Sequence, residues 1–110
     1  DLSEGGIGVA AAEMAFAGGL GMSVNLKNVP LGEPIDRDDY ILFSESNTRF
    51  LAEVAPGDKK KFESAMSGTD FAEIGRVMKD KKLEVTGRKG IILNADIADL
   101  KEAWQKPLRW

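Results

Sequence analysis

The order of apolar and polar positions divides this 110-residue chain into short segments of changing period. Ile7, Ala10, Ala11, Met14 and Ala15 recur at spacings of three and four, which predicts a helix over 5–17 with one apolar stripe. Ser3 stands where an N-cap hydroxyl accepts an orphan backbone N–H, and Gly18-Gly19 stand where a left-handed C-cap favours glycine. The stripe consists largely of small residues, so this helix can lie close to a sheet. Alternation follows, with Met22, Val24 and Leu26 against Ser23 and Asn25, and predicts a half-buried strand over 21–26. Residues 27–37 hold Pro30, Gly32 and Pro34 among charges and read as an ordered loop. The apolar run Tyr40-Ile41-Leu42-Phe43 predicts one or two helical turns behind an Asp38 cap, with the start of a strand as the alternative.

Alternation returns over 48–54, with Phe50, Ala52 and Val54 on one face and Arg49, Leu51 and Glu53 on the other, and predicts a strand. Pro56-Gly57-Asp58 opens a helix to about Met66, with Phe62, Ala65 and Met66 expected toward the core and Lys59, Lys60 and Lys61 in solvent. Residues 72–77 alternate weakly around Ile74 and Val77. Two further strands, 82–86 and 90–94, flank the turn Gly87-Arg88-Lys89-Gly90. A last helix is predicted behind Asp96, with Asp99 in its first turn and Ile97, Leu100 and Trp104 as a stripe that carries Trp104 into the core. Several strands follow one another through tight turns while helices are interspersed. That order predicts an α+β fold in which helices cover a mixed sheet of four to six strands.

The length fits a single domain, 1–110, which buries roughly 65% of the surface of its unfolded chain and so needs no covalent staple. With 43% hydrophobic and 30% charged residues it has the balance of a globular protein. Cysteine and histidine are both absent, which excludes disulfides, thiolate nucleophiles, the usual catalytic triads and the commonest transition-metal ligands. The net charge of −3 leaves no basic excess for a nucleic-acid backbone. No run approaches the roughly 18 apolar residues of a membrane span, and the start carries no basic leader. These features point to cytoplasm, to no nucleic-acid or membrane partner, and to a piece of something larger rather than a self-contained enzyme.

Two stretches carry candidate chemistry. Ser3, Gly5 and Gly6 sit at the mouth of the first helix, where bare N–H groups and the positive end of the helix dipole can receive a phosphate. The alternative is that the glycines only give a tight opening and close packing, and Glu4 would compete with an anion there. The second stretch, Ser44-Glu45-Ser46-Asn47, groups two hydroxyls, a carboxylate and an amide that can bind sugar hydroxyls or an amide-bearing ligand. Its alternative is a polar turn bonded to its own backbone. The lysines at 59–61 and at 79, 81 and 82 are interrupted by acids and read as solvated faces. No catalytic residue and no metal ligand set stands out.

Taken in their order, these stretches resemble a known family. Asp1-Leu2-Ser3-Glu4-Gly5-Gly6, continuing to Ala12-Glu13-Met14-Ala15, is similar to the helix-opening motif of the phosphoribosylformylglycinamidine synthases. Leu42-Phe43-Ser44-Glu45-Ser46 followed by Arg49-Phe50 is similar to their second hallmark, and Leu100-Lys101-Glu102-Ala103-Trp104 resembles their usual C-terminus. The resemblance implies a fold like the C-terminal domain of aminoimidazole ribonucleotide synthetase, here the C-terminal domain of the second half of a multidomain ligase. It implies a parent that converts formylglycinamide ribonucleotide to its amidine with ATP, magnesium and glutamine-derived ammonia. The partners implied are the remaining domains, a glutaminase subunit and a small accessory subunit. This fragment alone is expected to be inactive and to hold no cofactor. The resemblance also implies substrate contacts at Glu45, Ser46 and Asn47, although Asn47 stands where glutamine is more usual. A free-standing ferredoxin-like module for ligand sensing or assembly is the competing reading; selenophosphate synthetase and thiamine-phosphate kinase fit the Ser-Glu-Ser motif poorly. If the chain is cut from such a parent, an apolar interface is expected near the first helix and 40–43, joined by Pro107 and Trp110.

Overall fold

The computed structural model describes residues 2, 4–31, 35–45 and 49–108. Four strands form one mixed sheet in the order β2-β1-β3-β4. Helix α1 spans Gly6–Gly18, β1 Gly21–Asn25, α2 Asp38–Phe43, α3 Lys59–Ala65, β2 Gly75–Met78, β3 Lys82–Gly87, β4 Gly90–Asp96 and α4 Ile97–Gln105. β1 runs parallel to β3, pairing Met22 with Leu83 and Val24 with Val85, and antiparallel to β2. β3 and β4 form a hairpin that turns through Arg88-Lys89, with a register shift between Val85 and Thr86. The strand count and the mixture of directions agree with the α+β expectation.

The period-two pattern fixes which sheet face is covered. Met22, Val24, Leu83 and Val85 are buried beneath the helices, while Ser23, Asn25, Glu84 and Thr86 are only half-buried. Leu2, Ile7, Ala11 and Ala15 complete this layer from the N-terminal side, Ile41 and Leu42 from α2, and Ile97 from α4. Val24 and Val85 are each 1% exposed, and full burial of such a side chain is worth about 1.5–3 kcal/mol. Among the described residues the core contains no buried polar or charged side chain. The small residues of α1 matter here, because Ala11 and Ala15 bring that helix down to the sheet. α1 ends as its glycines predict: Gly19 has φ +71°, and its N–H closes on the Ala15 carbonyl at 3.0 Å.

Five expectations are corrected. Residues 49–54 belong to no helix or strand, because alternation favours an extended chain but supplies no neighbour to pair with. α3 buries none of its residues; Ala65 is exposed, and Phe62 and Met66 are only half-buried. Its aromatic meets Phe71 edge-on, with ring centroids 6.4 Å apart, and forms a small cluster away from the core. Trp104 is 51% exposed rather than core, lying tilted against Phe16 of α1 at 5.8 Å. The cap of α1 is Gly5, with no side-chain cap bond, and not Ser3, which lies outside the described residues. Likewise Arg37, not Asp38, occupies the cap position of α2. The Asp38 carboxylate instead accepts the Arg88 N–H of the β3–β4 turn at 3.3 Å, while Arg88 also reaches Asp36 at 3.2 Å.

Candidate functional site

The two polar stretches, forty residues apart in sequence, meet in the fold. The Gly5 N–H donates to Glu45 Oε1 at 2.8 Å, so a carboxylate from the second stretch sits at the mouth of α1. The position suits a carboxylate, since the first N–H groups of a helix lack intrahelical partners and favour negative charge. What brings Glu45 there is the packing of α2 under the start of α1. A side chain at Gly6, which has φ +64°, would meet Ser44 O at 2.5 Å and the Phe43 carbonyl carbon at 2.9 Å. One at Gly8 would meet Phe43 Cε1 at 2.9 Å and Leu42 Cγ at 3.0 Å. The expected reading of the glycines as packing residues and the expected reading of them as an anion mouth therefore converge. The backbones come close because the side chains are missing, and the exposed N–H is satisfied by a carboxylate of the chain itself.

Of the residues expected at the site, Gly5, Gly6 and Glu45 are thus brought together, whereas Ser3, Ser46 and Asn47 lie outside the described residues. Glu45 is exposed, and so is Glu4 beside the glycines. Two aromatics lie close in sequence on the same side chain run: Phe43 is 54% and Tyr40 56% exposed, while Ile41 and Leu42 between them are buried. The expected apolar surface at 40–43 is present for those two side chains, and Phe50, 74% exposed, adds to the uncovered apolar area. Tyr40 is held by Arg37, whose guanidinium lies 4.4 Å from the ring centroid and donates to the phenol oxygen at 3.2 Å. The same Arg37 bonds Asp39 at 2.7 Å and holds its carboxyl below the usual value, chiefly through that hydrogen bond.

A concavity of about 570 Å³ lies beside the edge strand β2 and is lined by Ser23, Asn25, Asn28, Glu73, Arg76 and Met78 among others. Three of its polar side chains are engaged locally. Asn25 Oδ1 accepts the Lys27 N–H at 3.0 Å, and Glu73 is paired with Lys59 at 2.7 Å and Arg76 at 3.4 Å. Among the described residues no three of the acidic side chains come together as a metal site, and no helix is long and apolar enough to cross a membrane. The contact that sequence reading missed is the Gly5–Glu45 bond. The signal for it was chemical: an unpaired donor mouth and a carboxylate-bearing turn are complementary.

Comparison with known proteins bears on the same stretches. Residues 1–88 match the family described as AIR synthase related protein, C-terminal domain. The phosphoribosylformylglycinamidine synthase subunit PurL of Lactobacillus acidophilus is 39% identical over 106 residues, which is 96% of this chain and 13% of the relative. Among solved structures, Thermotoga maritima PurL complexed with ATP superposes with a TM-score of 0.81 at 27% identity, over 91% of this chain and 18% of that one. The same enzyme complexed with FGAR gives 0.74 at 28% identity, over 91% of this chain and 17% of that one. The chain therefore spans less than a fifth of the proteins it matches.

Proposed function

Because the chain belongs to the family of AIR synthase related proteins, C-terminal domain, we propose that it is one α+β domain of a phosphoribosylformylglycinamidine synthase. The whole protein then converts formylglycinamide ribonucleotide to its amidine, using ATP and ammonia released from glutamine. The observation that carries this reading is the Gly5–Glu45 contact, which joins two stretches similar to that enzyme's hallmarks into one constellation. Solved relatives with ATP and with FGAR support the substrate class. A PurLQS assembly among them supports a complex with a glutaminase subunit and a small accessory subunit. Cytoplasm is the compartment that agrees with this role.

Within the domain, Glu45 is the residue we assign to the ribonucleotide. A carboxylate has two oxygens and about four acceptor sites. The bond from Gly5 uses one of them, leaving the group able to accept a sugar hydroxyl. Ser46 and Asn47 extend the assignment along the chain. A phosphate on Ser3, Gly5 and Gly6 would have to displace the Glu45 carboxylate and tolerate Glu4, so the hydroxyl-accepting role is the favoured one. The described residues offer no ligand set that fits magnesium; ATP and magnesium are assigned to the other domains of the whole protein. The test is an assay of the full-length protein with formylglycinamide ribonucleotide, ATP, magnesium and ammonia, beside the 110-residue chain alone. Amidine formation by the former and none by the latter is expected. A folded full-length protein that forms no amidine, or turnover by the isolated chain, overturns the reading.

A further inference from the structure

The inward side of α2 carries a charge. Ile41 and Leu42 are buried, and Asp38, three and four positions before them, shares their side of the helix and is half-buried. Its carboxylate lies against the β3–β4 turn and accepts the Arg88 N–H with both oxygens, at 3.3 and 3.4 Å. The Arg88 guanidinium makes a second tie, to Asp36 at 3.2 Å. Gly87 leaves room for this approach: it is buried, and a Cβ there would run into Asp38 Oδ2 and stand 2.7 Å from Asp38 Cγ. The φ of Gly87 is not positive, so the nearness of the carboxylate and of Ile92, rather than the backbone conformation, calls for a glycine at this position. We propose that Asp38 is a positioning residue: it fastens α2 to the hairpin turn and thereby holds Glu45 at the mouth of α1, ready for the ribonucleotide. The meeting of Glu45 with the ribonucleotide is the reading above, on which this proposal rests.

The length of α2 is what makes the tie necessary. It has six residues, and a helix shorter than about 12–15 residues is marginal in water by itself. Contacts must therefore hold it at both ends. At its C-terminal end Leu42 and Phe43 lie beneath Gly8 and Gly6. At its N-terminal end the Ile41 N–H bonds the Arg37 C=O at 3.3 Å, and Asp38 reaches the hairpin. The two ends are linked through Tyr40, whose C=O accepts the Ser44 N–H at 3.0 Å. That bond fixes the direction in which the chain leaves α2 for Glu45, and its acceptor belongs to the first turn. Without the Asp38 carboxylate the first turn frays, the Tyr40 carbonyl loses its place, and Glu45 leaves the Gly5 N–H that it meets at 2.8 Å. An apolar residue at 38 would suit the inner side of the helix but would offer the Arg88 N–H no acceptor.

Three variants separate the contributions. Asp38→Ala removes the acceptor, Asp38→Asn keeps one carbonyl oxygen for the Arg88 N–H, and Gly87→Ala leaves Asp38 in place but pushes its carboxylate off the turn. In the full-length enzyme, Asp38→Ala and Gly87→Ala should each raise KM for the ribonucleotide by about threefold to tenfold, as loss of one hydrogen bond would, with kcat and the KM for ammonia unchanged. The double variant should be no worse than Asp38→Ala, because both changes remove the same contact. Asp38→Asn should stay close to the wild type, and Trp104→Ala, which loosens the domain away from this site, should leave that KM unchanged. In the 110-residue chain, Gly5 amide exchange by NMR reads the place of Glu45 without any substrate, and should quicken in Asp38→Ala and Gly87→Ala. Unmoved Gly5 exchange in both variants overturns the positioning by Asp38, whatever KM does. So do effects that multiply in the double variant, Asp38→Asn as impaired as Asp38→Ala, or an equal rise of KM in Trp104→Ala. Quicker exchange with KM unmoved overturns instead the meeting of Glu45 with the ribonucleotide.

Discussion

Substituting Gly6 by alanine tests how the mouth of α1 is built. The backbone there has φ +64°, where an L-residue is strained, and the new Cβ would stand 2.5 Å from Ser44 O and 2.9 Å from the Phe43 carbonyl carbon. The left-handed conformation costs about 1–2 kcal/mol. Overpacking against backbone atoms adds about 1–3 kcal/mol, because neither carbonyl can rotate out of the way as a side chain would. The sum is about 2–5 kcal/mol, and a chain of this size loses about 4 °C of melting temperature per kcal/mol, which gives a fall of roughly 8–20 °C. Two neighbouring glycines separate the contributions. Gly19 has φ +71° but nothing within 4 Å of its would-be Cβ, so Gly19→Ala should show the strain alone, about 1–2 kcal/mol. Gly18 lies within α1 with nothing within 4 Å, and Gly18→Ala should stabilise by up to about 1 kcal/mol through helix propensity. Thermal unfolding followed by far-UV circular dichroism ranks the three. A Gly6→Ala variant that melts at or above Gly19→Ala refutes the close approach of α2 to α1.

Other expectations follow from individual contacts. The tilted Phe16–Trp104 pair should show a coupling of about 0.5–1.5 kcal/mol in a double-mutant cycle to alanine, read from urea midpoints; zero coupling would mean that the half-exposed indole only grazes α1. The hydrogen bond from Lys59 is the main cause that holds the Glu73 carboxyl below its ordinary 4.5 and raises the Lys59 amine above 10.5. The Glu73 contribution to stability is therefore present above pH 4.5 and lost as pH falls through its lowered folded value. The Lys59 contribution is present below pH 10.5 and lost as pH rises through its raised value. Both groups are exposed, so the check is a carbon-13 titration of Glu73, whose midpoint should move up in Lys59→Met and stay put if the pair does not form in solution. In the full-length enzyme, Glu45→Ala should raise KM for the ribonucleotide by about tenfold to a hundredfold, as loss of a charged hydrogen bond would, with the KM for ammonia unchanged. Equal changes in both constants would remove Glu45 from the substrate.

The elements that were legible in the sequence are those whose period and punctuation are both local. α1 has its stripe and its Gly18-Gly19 stop, β1 its strict alternation, and the β3–β4 hairpin its glycine-bounded turn. Residues 49–54 alternate as clearly as β1, yet β1 lies between β2 and β3 whereas 49–54 pairs with no strand among the described residues. Period specifies a conformation, and pairing depends on what lies alongside. Trp104 shows the same limit on a helix: spacing told which face of α4 it shares with Ile97, but not that it would lie half-exposed against Phe16. At the candidate site, residue types were legible and their union was not. Glu45 and Gly5 are forty positions apart, and only the packing of Leu42 and Phe43 beneath Gly6 and Gly8 closes that distance.

That union is the claim on which the functional account stands, and one measurement addresses it directly. In the labelled 110-residue chain, a long-range HNCO spectrum detects scalar coupling across a hydrogen bond. A cross-peak between the Gly5 amide nitrogen and the Glu45 side-chain carboxyl carbon, lost in Glu45→Ala, is the predicted result for an N–H···O bond of 2.8 Å. The absence of that cross-peak, together with Gly5 amide exchange as fast as in an open loop, would contradict it.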